Sequence, residues 1–202
     1  SPRFYKERGL SDVRTTFATL HEMEHFLEKV QLVSEPGGTA VFERYLRRIE
    51  ESRAYALMDN CVADIRQNRA VVAKTTSVSA ELEQGMYRDD LIPETDFTRE
   101  PRHIQFCSAL LREARVPGEI CQVDPFVREQ LDALGMLRSA DGEPMLDVIT
   151  HPDVPQSTRL AVQDERIWPI VQDLLRQDLD DQTPPDGASP PGQPEIGSSS
   201  LS

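Results

Sequence analysis

Two histidines and a glutamate in the segment His21–His25, which reads HEMEH, could together hold and use a metal ion. On a helix, side chains four positions apart project from the same face, so both imidazoles can reach one cation. Glu22 directly follows the first histidine, where its carboxylate could orient and deprotonate a water molecule bound to that cation. The pattern therefore predicts a zinc ion (Zn²⁺) that activates water for hydrolysis, with Glu22 as the general base.

The residues around this motif have the pattern of an amphipathic helix. Ser11 or Asp12 can cap its start, and the run Pro36–Gly38 is a strong helix breaker. Apolar residues recur at helical spacing between these signals, at Val13, Phe17, Leu20, Leu27 and Val30. We therefore expect a helix over about Ser11–Leu32 that presents both histidines on one face.

A catalytic zinc site takes three protein ligands and leaves one position open for water, so the histidines need a further partner. No third histidine follows at the spacing of an H-E-x-x-H-x-x-G-x-x-H motif. A second long helix is predicted over about 39–68, and an antiparallel helix pair could bring its Glu50 or Glu51 beside the imidazoles. Both glutamates flank the apolar face of that helix, so its projection leaves the choice between them open.

With these residues the chain resembles the glutamate-type zincins, the gluzincin metallopeptidases. Several small bacterial toxin and effector peptidases of this group follow H-E-x-x-H with a helix that reads roughly E-x-x-A-Y, and Glu51–Tyr55 reads ESRAY here. The resemblance covers about residues 11–65 and implies zinc-dependent hydrolysis of a protein or peptide, with a role as a secreted effector or toxin. It favours Glu51 over Glu50. The implied residues are the zinc ligands His21, His25 and Glu51 and the general base Glu22.

Hydrolysis also requires a donor that stabilises the oxyanion of the tetrahedral intermediate. The candidates are His103, Tyr55 and Tyr87. His103 lies near the start of a predicted helix, a position from which it could stabilise the transition state. The sequence leaves the choice among these three open.

Two other functions compete with this interpretation. Glu22–His25 and Glu100–His103 both read E-x-x-H, a motif that di-iron carboxylate oxidases use twice, together with a glutamate from each of two further helices. Pro101 places Glu100 at the tip of its helix, which disfavours that assignment. The non-enzymatic alternative is a helical interaction or effector module. Metal content distinguishes the three functions: one zinc per chain, two irons, or no metal.

Composition restricts the partners further. The chain of 202 residues has a net charge of −13, and such an acidic protein is not expected to bind nucleic acid. No apolar run reaches the length of a membrane-spanning helix, so we expect a soluble protein without a membrane partner. The cysteines lie far apart and form no C-x-x-C pair, which predicts buried thiols and a reducing compartment. They are Cys61, Cys107 and Cys121.

The rest of the chain is predicted to be mostly helical. Asp124 followed by Pro125 signals the start of a helix, because an N-cap aspartate before a proline is typical there. Asp141–Gly142 signals a tight turn of a small hairpin. The remaining predicted elements are helices over about 100–115, 125–134 and 157–179, a strand or loop over 71–80, and hairpin strands over 136–138 and 145–149.

We therefore expect a mainly α fold with a small β component (α+β), built around a zincin-like helix pair that carries the metal site. Residues 1–180 are predicted to form one helical domain. Residues 181–202 are rich in proline, glycine and serine, so they are expected to form a disordered tail.

Overall fold

A computed structural model describes residues 11–182 and shows a mostly helical fold. Two π-helical turns, Tyr87–Leu91 and Gln163–Ile167, directly follow the fourth and eighth helices. The helices are α1 (Asp12–Ser34), α2 (Gly38–Glu51), α3 (Arg53–Lys74), α4 (Ala80–Met86), α5 (Arg102–Arg115), α6 (Pro125–Met136), α7 (Met145–Ile149), α8 (Gln156–Val162) and α9 (Trp168–Gln182).

Helix α3 lies at the centre of the molecule and packs against α1, α2, α5 and α9. Its apolar face meets the inner faces of α5 and α9 in the main core, where the side chains are almost completely buried. The central residues of this core are Met58, Val62, Ile65, Phe106, Cys107, Val171 and Leu174. None of the helices in residues 11–182 is long and apolar enough to cross a membrane.

Helix α1, which carries the two histidines, joins this core largely through polar side chains. Glu28 is buried and accepts hydrogen bonds from Gln67 and Gln156, each at 2.7 Å, and it pairs with Arg66 at 2.7 Å. Only Phe17 and Leu32 of α1 are buried apolar residues. The opposite face of the helix exposes large apolar side chains, at Met23, Phe26, Leu27, Val30 and Val33.

The long helix predicted over 39–68 is wrong, because two helices meet at Ser52 instead. Ser52 is extended, with φ −141° and ψ 112°, and its side chain accepts a hydrogen bond from the backbone N–H of Tyr55 at 3.2 Å. A serine that caps a helix favours extended backbone for itself, so it ends α2 and begins α3. Tyr55 then packs against the ring of Trp168 at a centroid distance of 5.2 Å, which fixes the start of α3 on the core.

Replacing Ser52 by alanine is expected to lower the free energy of unfolding by about 1 kcal/mol, since the N-terminal N–H groups of α3 lose a capping partner. Urea denaturation followed by circular dichroism measures this change. Ser52→Asp is the matched control because aspartate caps a helix as well as serine does. An equal loss of stability in both variants would contradict the capping role.

The predicted small β component is reduced to isolated bridges in the described residues, which contain no sheet. These bridges join Asp96 to Gln122 and Arg138 to Pro144. The predicted strand or loop over 71–80 is correct only in part, because α3 continues to Lys74 and a loop follows over 75–79. The turn at Asp141–Gly142 is present, with Gly142 at φ 85°, but the expected second hairpin strand is the short helix α7. Pro144 directly precedes α7 and has no N–H to donate to a ladder, which disfavours a strand there.

Several other helices agree with the sequence prediction, although α4 was not predicted. Helices α1 and α5 and the start of α6 lie within a few residues of their expected limits, and Asp124 accepts a hydrogen bond from the N–H of Phe126 at 2.8 Å. The last predicted helix comprises α8, a π-helical turn and α9. Pro169 is the second residue of α9, just after that turn. Because proline has no backbone N–H, one regular helical hydrogen bond is missing there. The predicted tail lies outside the described residues, apart from residues 181 and 182 in α9.

Candidate metal centre

His21 and His25 of α1 face Asp64 of α3. Asp64 Oδ1 lies 3.1 Å from His25 Nε2 and 3.4 Å from His21 Nε2, and the two Nε2 atoms lie 3.0 Å apart. Ligand atoms about 2.1 Å from a tetrahedral zinc ion are about 3.4 Å from one another. The three atoms therefore already have nearly the separations of one face of a zinc coordination tetrahedron.

The carboxylate beside the two histidines belongs to Asp64 and to neither of the predicted glutamates. Glu51 and its alternative Glu50 are exposed in the last turn of α2, and neither belongs to the metal-ligand group. Within residues 11–182, His21, His25 and Asp64 form the one group of three or more His, Cys, Asp or Glu side chains close enough to share an ion. The helix paired with α1 at the site is α3, and the break at Ser52 separates it from both glutamates.

Asp64 is positioned with one oxygen directed at the imidazoles. Its Oδ2 accepts a long hydrogen bond of 3.4 Å from Asn60 Nδ2. Its Oδ1 is buried and has no partner of hydrogen-bond geometry in the described structure. A buried carboxylate oxygen without a hydrogen bond is costly unless a positive charge faces it. The arrangement therefore suits a cation between Asp64 and the histidines.

The histidines and Asp64 influence one another's protonation. Burial by itself raises the pKa of Asp64, but its contacts with His21 and His25 lower it below its usual value overall. Burial also lowers the pKa of His21, but the close contact with Asp64 and the negative charge of that carboxylate raise it above the usual value overall. The site thus favours a positive charge beside the carboxylate, and a divalent cation would satisfy the same preference.

On the side of His21 away from Asp64, the buried side chains of Asn68 and Tyr87 form a hydrogen-bonded chain. His21 Nδ1 lies 2.7 Å from Asn68 Oδ1, and Asn68 Nδ2 donates to the Tyr87 hydroxyl at 2.7 Å. Burial raises the pKa of Tyr87 well above its usual value, so its hydroxyl stays protonated. Tyr87 is the first residue of a π-helical turn, an irregularity that is frequent at functional sites.

A cavity of about 290 Å³ opens beside these residues. Glu22 borders it together with His21 and Asp64, so the proposed general base shares a cavity with two of the three potential ligands. Glu22 itself is exposed and lies outside the metal-ligand group. The other walls are mainly apolar and consist of Phe17, Ala18, Met86, Tyr87, Leu91, Ile92 and Leu111.

Of the three candidates for oxyanion stabilisation, Tyr87 borders this cavity and the other two are engaged elsewhere. The Tyr55 hydroxyl donates to Asp164 at 2.7 Å. His103 Nδ1 lies 2.6 Å from Asp178 Oδ2, between α5 and α9. The second E-x-x-H motif therefore contributes to no shared ligand group in the described residues. The three cysteines are buried and unpaired, as the sequence predicts.

Asp64, Asn60 and Asn68 were not among the residues predicted from the sequence. A local signal for them exists, because these three polar residues are spaced four apart and share one face of α3. Asn68 is completely buried, and Asp64 is partly buried, with 14% of its side chain exposed. Polar residues at helical spacing within a core helix indicate partners on a neighbouring element, which here is α1.

No protein family model, curated protein or solved structure matches this chain. The chemical interpretation of the site therefore depends on its own geometry.

Proposed function

We propose that the chain is a zinc-dependent hydrolase that cleaves an amide bond in a protein or peptide. The observation that carries this proposal is the convergence of three ligand atoms, from His21, His25 and Asp64, beside a cavity that Glu22 also borders. Two imidazoles and one carboxylate are a ligand set typical of catalytic zinc, with the fourth position left for water.

Zinc bound there would lower the pKa of a water molecule to about 7 and polarise the scissile carbonyl. The residues of the chain provide the remaining chemistry. Glu22 accepts the proton of the water and passes it to the leaving amine. Asp64 keeps one oxygen directed at the centre while Asn60 engages the other, so its carboxylate acts as a ligand through Oδ1.

The apolar walls of the cavity favour binding of a substrate that has an apolar group next to the cleaved bond. Phe17, Met86 and Leu111 are buried and belong to the folded core, so these walls are largely pre-formed. A charged group would lose its hydration against them without gaining a partner. The role of a secreted effector or toxin stays a prediction from the sequence resemblance.

A second candidate function is a non-enzymatic interaction module. The specific observation that favours it is the exposed apolar face of α1, where Phe26 alone is 67% exposed. Large apolar patches on a surface mark sites of protein contact. This function would require no metal, so the two candidates differ in a measurable property.

Elemental analysis of protein purified without chelators is expected to give about one zinc per chain, because the site offers the three protein ligands that zinc requires. Incubation of the zinc-loaded protein with a library of unstructured peptides is expected to produce cleavage next to apolar residues. Protein that takes up no zinc even after incubation with the ion would contradict the metal centre. Zinc-loaded protein that leaves the whole library intact would contradict the hydrolase and favour the interaction module.

A further inference from the structure

Asn68 contacts the ring of His21 on the side opposite the metal centre. It is 0% exposed, its Oδ1 lies 2.7 Å from His21 Nδ1, and its Nδ2 lies 2.7 Å from the Tyr87 hydroxyl. Both ends of the amide therefore have a partner, and the partner of the oxygen is a ring nitrogen of a proposed zinc ligand.

The proton on His21 decides whether the ring can bind a cation. A neutral imidazole carries one proton, on either Nδ1 or Nε2, and only the nitrogen without a proton can donate a lone pair to a metal. In this structure Nε2 faces Asp64, and Nδ1 faces an amide oxygen, which can only accept. Asp64 Oδ1 can also only accept, but it lies 3.4 Å from Nε2, whereas Asn68 Oδ1 lies 2.7 Å from Nδ1. A neutral ring therefore carries its proton on Nδ1 and its lone pair on Nε2.

The Tyr87 hydroxyl is the partner of the other end of the amide in this structure. With Asn68 Nδ2 on the Tyr87 hydroxyl, the amide nitrogen has a buried acceptor. A buried N–H group without a partner costs about 1–3 kcal/mol, and the hydroxyl satisfies this one while Oδ1 faces His21. The π-helical turn that begins at Tyr87 brings this hydroxyl to α3.

We propose that Asn68 is a positioning residue of the metal centre, which holds His21 in the tautomer and ring orientation that bind a cation through Nε2. This inference rests on the metal centre of the proposed function. Outer hydrogen-bonding partners of metal-binding histidines commonly contribute a factor of about 10–100 to metal affinity. A buried amide that only fills the core would contribute to stability without changing that affinity.

Zinc affinity in three variants tests the proposal, by competition with a chromophoric chelator. Asn68→Leu removes the acceptor at nearly constant volume and is expected to weaken zinc binding by about 10–100-fold. Asn68→Asp keeps an acceptor facing His21 Nδ1 and is expected to bind zinc nearly as tightly as the wild type. Gln67→Leu is the matched control, because Gln67 is a buried amide on the same helix that bonds to Glu28 instead.

A second measurement tests the positioning without any metal. Long-range ¹⁵N correlation spectra of zinc-free protein, at a pH where the imidazoles are neutral, report which nitrogen of His21 carries the proton. We expect Nδ1–H in the wild type and in Asn68→Asp, and a shift towards Nε2–H in Asn68→Leu. This result does not depend on zinc binding, so failure of the metal centre and failure of the positioning role are distinguishable.

Two outcomes would overturn the inference. One is an Asn68→Leu variant that folds, keeps the wild-type zinc affinity and shows the same His21 tautomer, which would make Asn68 a purely structural amide. The other is an equal loss of affinity in Asn68→Leu and Gln67→Leu, which would show a general effect of a lost buried hydrogen bond. If Asn68→Leu does not fold, an Nε2–H tautomer in the wild type or in Asn68→Asp would still contradict the proposal.

Discussion

Asp64→Ala is expected to abolish stoichiometric zinc binding, whereas Glu51→Ala should leave it unchanged. Asp64 Oδ1 lies within 3.4 Å of both imidazole Nε2 atoms, so its removal leaves only two ligands. The loss should exceed the roughly 10- to 100-fold effect of an outer hydrogen-bonding partner. Metal content after dialysis and a competition titration measure the effect directly.

Further variants make this comparison decisive. Asp64→Asn keeps the volume of the side chain but removes its negative charge, so it should also lose most of the affinity. Glu50→Ala tests the alternative sequence-based ligand and should behave as the wild type, since Glu50 is exposed on α2. Normal zinc content in Asp64→Ala, together with a loss in Glu51→Ala, would overturn the ligand set proposed from the structure.

Glu22→Gln is expected to retain zinc and the fold while losing about 10²–10⁴-fold of the hydrolytic activity, the usual contribution of a general base. Glutamine has nearly the same shape and removes only the basic carboxylate. Activity on a cleaved peptide, zinc content and circular dichroism should be measured together. The free energy of unfolding should change little, because Glu22 is exposed.

Glu24→Gln is the natural control for this experiment. Glu24 belongs to the same motif, but it pairs with Lys74 at 2.7 Å and does not border the cavity. Its replacement should leave activity close to that of the wild type. A Glu22→Gln variant with full zinc and unchanged activity would rule out Glu22 as the base and with it the proposed mechanism.

The sequence predicts those parts of the site that depend only on residues close to one another along the chain. The helix around His21 and His25 begins at a capping serine and ends before a proline and two glycines, so its limits follow from neighbouring residues. The spacing of the two histidines then places them on one face without any knowledge of the tertiary structure. Asp124 with Pro125 predicts the start of α6 in the same way.

The proposed third ligand, Asp64, was not predictable in this way because its position depends on a break in a continuous helical pattern. The propensity of residues 39–68 is helical throughout, and a single serine interrupts them in the structure. Ser52 redirects the chain, so that a different part of the segment meets α1. Asp64 reaches the histidines through tertiary packing of α1 on α3, which residue spacing within one helix does not describe. The hairpin prediction failed similarly, since Asp141–Gly142 specifies a turn but not the structure after it.

The way in which α1 is attached has a consequence for its motion. Because its buried contacts are mostly hydrogen bonds and ion pairs, such as those of Glu28, α1 gives up little apolar burial when it separates from α3. Elements with few buried apolar contacts are the ones that open locally, at a free-energy cost below that of global unfolding. A cation bound by both helices would raise that cost by mass action, since only the closed state has all three ligands together. The occupancy of the proposed metal centre would thereby set how often the helix that carries His21 and His25 separates from the rest of the fold.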